Sequence, residues 1–218
     1  MTSFLRPVAA SLLLAAMAVG CGVLPDSRAA GGSGTHDRKK PTMDMSQGAE
    51  RADAMLQQTL GSITPPLRWY HGPSNDIACS NILGKGTGTG TVKRRIAILT
   101  TVSAERRGSL LGAVERSWKA HGYKINGVNP DKEMPAIFAT TPDDFQITLQ
   151  VGATGQFIFS AGTPCLTQTS NIPKPATTPN TPPRDVPYPA PADIHDDFWS
   201  TTAPDATPSQ GHSPAAGR

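Results

Sequence analysis

The sequence predicts an α+β fold: a two-layer domain over residues 44–168, with an antiparallel sheet of about five strands and two helices on one face. A disordered Pro-rich tail follows. Three observations predict it. Two segments repeat apolar residues at helical spacing, several short ones alternate apolar and polar residues, and both patterns stop beyond Leu166. Alternation, as opposed to continuous apolar runs, marks strands with one covered and one open face, as in antiparallel sheets. A segment of about 120 residues is long enough to bury a core.

The first helix is expected from Asp44 to Leu60. Asp44 followed by Gln47 forms a capping box, and Met45, Ala49, Ala52, Leu56 and Leu60 share one face. Gly61 is its stop. Ile63 to Pro73 reads as irregular, because Pro65-Pro66 interrupts regular hydrogen bonding. A short strand is expected at 77–82, then a glycine-rich connection at 84–91, then a longer β-branched strand at 92–102. Ser103 opens a second helix, 104–121, with Leu111, Val114 and Trp118 on one face and Gly122 as its stop. Strands at 123–128, 136–141 and 145–151 follow. In the last of these Phe145, Ile147, Leu149 and Val151 point inward. Gly152 to Gly155 turns the chain into 156–161, where Phe157 and Phe159 face the core.

The chain opens with one charge, Arg6, then the apolar run Ser11 to Val19 and Gly20-Cys21. That order marks an export signal, too short to span a bilayer as a stable helix. Ala18-Val19-Gly20-Cys21 resembles the lipobox of bacterial lipoproteins. The resemblance covers residues 1–21 and departs from the family at Ala18, where Leu is usual; the same residues also fit an ordinary cleavage site after Ala18. It implies that residues 1–20 are removed, that the Cys21 sulfur takes a diacylglyceryl group, and that the protein is held by its acyl chains (palmitate among them) on the outer face of the cell membrane. Residues 21–43 are then a tether, small and polar with a basic run at Arg38-Lys39-Lys40.

Glycine and proline number 21 each and apolar residues make up 37% of the chain, so part of it lies outside any core. The net charge of +3 is too small to argue for nucleic acid. With Cys21 acylated, Cys79 and Cys165 remain, and an even pair outside the cytoplasm reads as a disulfide. Residues 169–218 are rich in Pro, Thr, Ser and Ala and are expected to be disordered, with one exception: in residues 193–199 the acids Asp193, Asp196 and Asp197 stand with Ile194, Phe198 and Trp199.

Motifs for chemistry are sparse. Gly84-Lys85-Gly86 lacks the Ser or Thr of a phosphate loop and runs into a strand where a helix is required. Metal-ligand spacing is missing, and no cofactor is implied. Enzymatic use of His71, His121 or Asp144 is a lesser alternative, as is a carrier role for a small apolar ligand between the layers. Asp143-Asp144 reads as turn chemistry. The best lead is basic: Lys93, Arg94, Arg95, Arg106 and Arg107 are the candidates for binding an anion or an acidic partner, such as an envelope protein or an anionic wall polymer. The tail motif is a second one, able to dock on the basic surface of the same or another molecule. The expectation is a non-enzymatic, membrane-anchored binding domain.

Overall fold

The computed structural model describes residues 42–202. The expected signal peptide, the acylation site Cys21 and nearly all of the tether lie outside the described residues. The elements are α1 (Met45–Gly61), β1 (Trp69–His71), β2 (Asn75–Ser80), β3 (Gly86–Ile98), α2 (Ala104–Ala120), β4 (Lys124–Asn129), β5 (Ala136–Thr140), β6 (Gln146–Val151), β7 (Phe157–Gly162) and β8 (Leu166–Thr167).

The fold is α+β, and its sheet is larger than expected, with eight strands among the described residues. The order is β1-β3-β7-β6-β5-β4, with β2 and β8 also paired to β3, and every named pairing is antiparallel. Strands β4 to β7 form the predicted meander. The 13-residue β3 organises the rest: β2 then β1 lie along one side, and β8 then β7 along the other.

The surplus strands have a physical reason. Trp69–His71 stands between prolines and is too short to show alternation, yet it pairs with Ile96–Ile98. The two residues of β8 are shorter still. The glycine-rich run expected as a connection is itself strand from Gly86 onward, paired with β2.

Both helices pack on the same sheet face. Ala52, Met55 and Leu56 of α1 join Leu110, Val114 and Trp118 of α2 in one buried cluster with Ile96, Ile98, Ile147, Leu149 and Phe159. The Asp44–Gln47 capping box forms as the sequence predicts. At α2 the outcome differs: the Ser103 hydroxyl donates to the Thr201 carbonyl at 2.7 Å and makes no side-chain cap. Between the helices, Trp118 Nε1 donates to Thr59 Oγ1 at 3.0 Å, satisfying a buried indole. Cys79 and Cys165 form the expected disulfide, closing 86 residues of sequence between β2 and the approach to β8.

Residues 169–202 correct the expectation of disorder; 203–218 lie outside the described residues. The segment runs back over the domain as a strap without regular structure. Ala190 is fully buried, Trp199 is 2% exposed, and Ile194 bridges to Thr100. It is held residue by residue. Asn180 accepts from Trp69 N and donates to Leu67 O, Thr181 donates to Trp69 O, and the Tyr70 hydroxyl accepts from Ala190 N. Gly72 marks the closest approach: a Cβ there would lie 2.4 Å from the Tyr188 ring.

Candidate functional site

Strand periodicity divides the basic cluster. On β3, Val92, Arg94, Ile96 and Ile98 point to the helices, so Lys93 and Arg95 point to the open face. There Lys93 lies opposite Asn75 on one side and Gly162 on the other, and Gly162 faces Gln146. Arg95 lies opposite Ser160, which faces Thr148. Together with Ile77 and Thr91 these residues line a groove of about 300 Å³. None of the lining residues is acidic.

The groove has a defined electrostatic character. Arg95 Nη1 donates to Asn75 Oδ1 at 3.0 Å and to Pro73 O at 3.3 Å, which fixes the guanidinium beside Lys93. Partial burial, and then the neighbouring Arg95 charge, lower the Lys93 pKa below the usual lysine value. Two cations without a carboxylate favour an incoming anion, which relieves their repulsion. Hydroxyls of Ser160 and Thr148 and the Gln146 amide supply neutral hydrogen-bonding groups in the same groove. Across the sheet, Phe138 lies opposite Thr148 and is 38% exposed, giving the polar rows an aromatic neighbour.

The other three candidate cations, Arg94, Arg106 and Arg107, lie outside this groove and are engaged in structural contacts. Arg94 is 2% exposed, pairs with Asp53 at 3.2 Å and donates to the Pro173 carbonyl of the strap. Arg106 is buried in the first turn of α2, its guanidinium 4.2 Å from the Phe198 ring centroid. Arg107 donates to Glu133 O at 2.8 Å and to Lys132 O at 3.4 Å, tying α2 to the β4–β5 loop.

The tail motif docks on the domain of its own chain, at the start of α2. Trp199 Nε1 donates to Pro65 O at 2.9 Å, and Phe198 stands edge-on to Trp199 at 4.8 Å. Asp196 Oδ1 accepts from the amides of Phe198 and Trp199, shaping that turn. Asp193 makes a bidentate pair with Arg184, whose hydrogen bonds hold its carboxyl below the usual carboxylate range. Asp197 is exposed, 3.6 Å from His195. Aromatic burial therefore anchors the motif, and its acids act locally.

The groups considered for catalysis are placed on separate elements. His71 of β1 meets the Thr177 carbonyl through Nε2 at 2.7 Å and stands edge-on to Trp69. His121 ends α2, with Nδ1 2.7 Å from Ser117 O. Asp143 and Asp144 form the β5–β6 turn, Asp144 with φ of 65° and Asp143 bound to Arg51 of α1 at 2.5 Å. On β6 the outward set, Gln146 and Thr148, follows from the same alternation that turns Ile147 and Leu149 inward; what the sequence does not show is its pairing beside β7, or the Ser160 and Gly162 that β7 adds next to Lys93 and Arg95.

No family model matches this chain, and no curated protein matches it. Among solved structures, it is similar to a DUF4853 family protein from Actinomyces odontolyticus ATCC 17982. The identity is 12%, the TM-score 0.38, and 62% of this chain and 72% of that chain are covered; likeness at this level carries no weight for function.

Proposed function

We propose that this protein is an exported, lipid-anchored, non-enzymatic binding domain that holds an anionic partner of the cell envelope on the open face of its sheet. One observation carries the reading: Lys93 and Arg95 stand side by side in a groove whose lining contains no acid. The lipobox-like ending at Cys21 supports attachment on the outer face of the membrane, where two acyl chains give stable anchoring. An anionic wall polymer fits a groove that joins two cations to hydroxyls and amides, with Phe138 on the next strand opposite Thr148. Carriage of an apolar ligand between the layers is disfavoured, because Trp118, Phe145, Phe157 and Phe159 fill that space.

The test is capture of purified anionic wall polymer by the intact protein. Lys93→Glu with Arg95→Glu is expected to lower capture by about tenfold or more, and raised salt is expected to weaken the wild type. Arg107→Gln, which alters a cation outside the groove, serves as control and leaves capture near the wild-type level. Capture that ignores both charge reversal and salt removes the groove from the proposal. Separately, acyl labelling of wild type and Cys21→Ser tests the anchor: equal labelling and equal membrane fractionation would refute it.

A further inference from the structure

The three most exposed large apolar side chains among the described residues belong to one hairpin: Ile82 at 99%, Leu83 at 75% and Ile77 at 65%. Ile82 and Leu83 form the tip between β2 and β3. Burial inside the domain explains neither side chain, and the hairpin supports its tip without their help. Asn81 N donates to Lys85 O, Gly84 N donates to Asn81 O, and the Asn81 side chain accepts from the amides of Leu83 and Lys85. Gly84 supplies the left-handed residue, φ 75°, that closes such a three-residue loop. Just behind the tip, the Cys79–Cys165 bridge ties the hairpin to the approach to β8.

We propose that Ile82 and Leu83 form a wedge that enters the headgroup region of a lipid bilayer. Three features select a bilayer as the occupant. The tip amides of Leu83, Gly84 and Lys85 already have partners, so the loop meets an apolar medium with those donors satisfied. The only charge from Ile77 to Thr91 is Lys85, next to the tip, which suits anionic headgroups. The third is position. The chain enters the domain at Asp44, which bridges to Thr167, and Thr167 pairs with Thr89 of β3. From Thr89 the tip lies six residues along the hairpin, about 20 Å at strand rise. The tether expected between Cys21 and Asp44, about twenty residues, would span roughly 25 Å as a flexible chain. Anchor and wedge are thereby matched in reach, and the wedge orients the domain on the membrane. This third feature rests on the lipid-anchor reading, whereas the first two do not.

The experiment uses the exported chain carrying Cys21→Ser, so that binding owes nothing to acyl chains. Flotation with phosphatidylcholine vesicles, with and without phosphatidylglycerol, reads partitioning. The parent is expected to float, and more so with phosphatidylglycerol. Ile82→Ser with Leu83→Ser is expected to lower partitioning about tenfold or more. Lys85→Gln is expected to lower it about fivefold on phosphatidylglycerol vesicles only. These side chains are exposed, so an unchanged near-ultraviolet circular dichroism spectrum verifies that the variants fold. A parent that stays in solution, or a double variant that floats equally well, overturns the wedge. So does a parent that dimerises through the tip, seen as a dimer in sedimentation that the double variant loses, without vesicle binding. If the parent floats while wild type carries no acyl chain, the wedge stands and the anchor falls.

Discussion

The domain body and the strap that crosses it bury side chains to the same depth by different means. In the body, Ile147, Leu149 and Phe159 are buried because alternation repeats along strands that pair over several residues. In the strap, Trp199 and Ala190 are as deeply buried, yet their neighbours follow no period. Its backbone is satisfied by scattered partners, such as Asn180 on β1 and the Ser200 hydroxyl on Thr101 O. A repeated pattern spreads stability over a cooperative unit; a series of single contacts concentrates it at a few residues. The strap is therefore expected to detach locally while the body unfolds as a whole.

The largest effect is expected where the two regions meet. Arg94 lies under the strap, paired with Asp53 of α1 and donating to Pro173 O. Burial pushes the Asp53 carboxyl above the usual range, against the opposing pull of Arg94, so desolvation outweighs the pairing there. Asp53→Ala leaves the guanidinium buried with one carbonyl and is expected to destabilise the protein by about 3–5 kcal/mol. Asp53→Leu combined with Arg94→Met is expected to recover most of that loss in urea unfolding. If the double variant is as unstable as Asp53→Ala, the pair contributes net stability and the desolvation account is wrong.

Trp199→Ala comes next, at about 3 kcal/mol of docking free energy by comparison with large-to-small substitutions. The deletion also orphans Pro65 O and uncovers the Phe198–Arg106 stack. Hydrogen exchange is the decisive readout. Amides of residues 169–202 are expected to lose protection while those of β6 and β7 keep it. Equal loss in both regions would make strap and body one cooperative unit.

The same contrast explains what the sequence revealed. The helices, the meander and the inward sets on β6 and β7 are readable because each repeats a period against a continuous partner. The opposite facing of Arg94 and of Lys93 with Arg95 follows from strand period alone, once 92–98 is read as strand. Which face the helices cover, and what polar residues β6 and β7 bring beside Lys93, depend on pairing between segments more than 50 residues apart. A window along the chain carries no such information. The strap was missed for a stronger reason: its composition is that of disordered segments, and its order comes from docking onto a surface that already exists. Asp196 and Trp199 were legible as an exception, and their burial partner, Pro65, was not.

The smallest effect concerns the exposed ion pairs, which tie each region to itself or to its neighbour. Asp143 binds Arg51, joining the β5–β6 turn to α1; burial works against its ionised form, and the bonds from Arg51 and Thr141 prevail, lowering its pKa. Asp193 binds Arg184 within the strap and is lowered chiefly by that bond. For both, the unfolded chain binds more protons than the folded one between the two pKa values. Their stabilisation is complete above the unfolded value of about 3.9 and is lost as pH falls through the folded one. Solvent screens both pairs, so the effect is expected to be slight and to shrink further in high salt. Hydrogen exchange or proteolysis near pH 3 is expected to open residues 184–193 before any loss in the sheet, and Asp193→Asn is expected to bring that opening to neutral pH. If acid loosens body and strap together, local pairing does not hold the strap, and its attachment rests on its contacts with the body, those of Trp199, Asn180 and Thr181 among them.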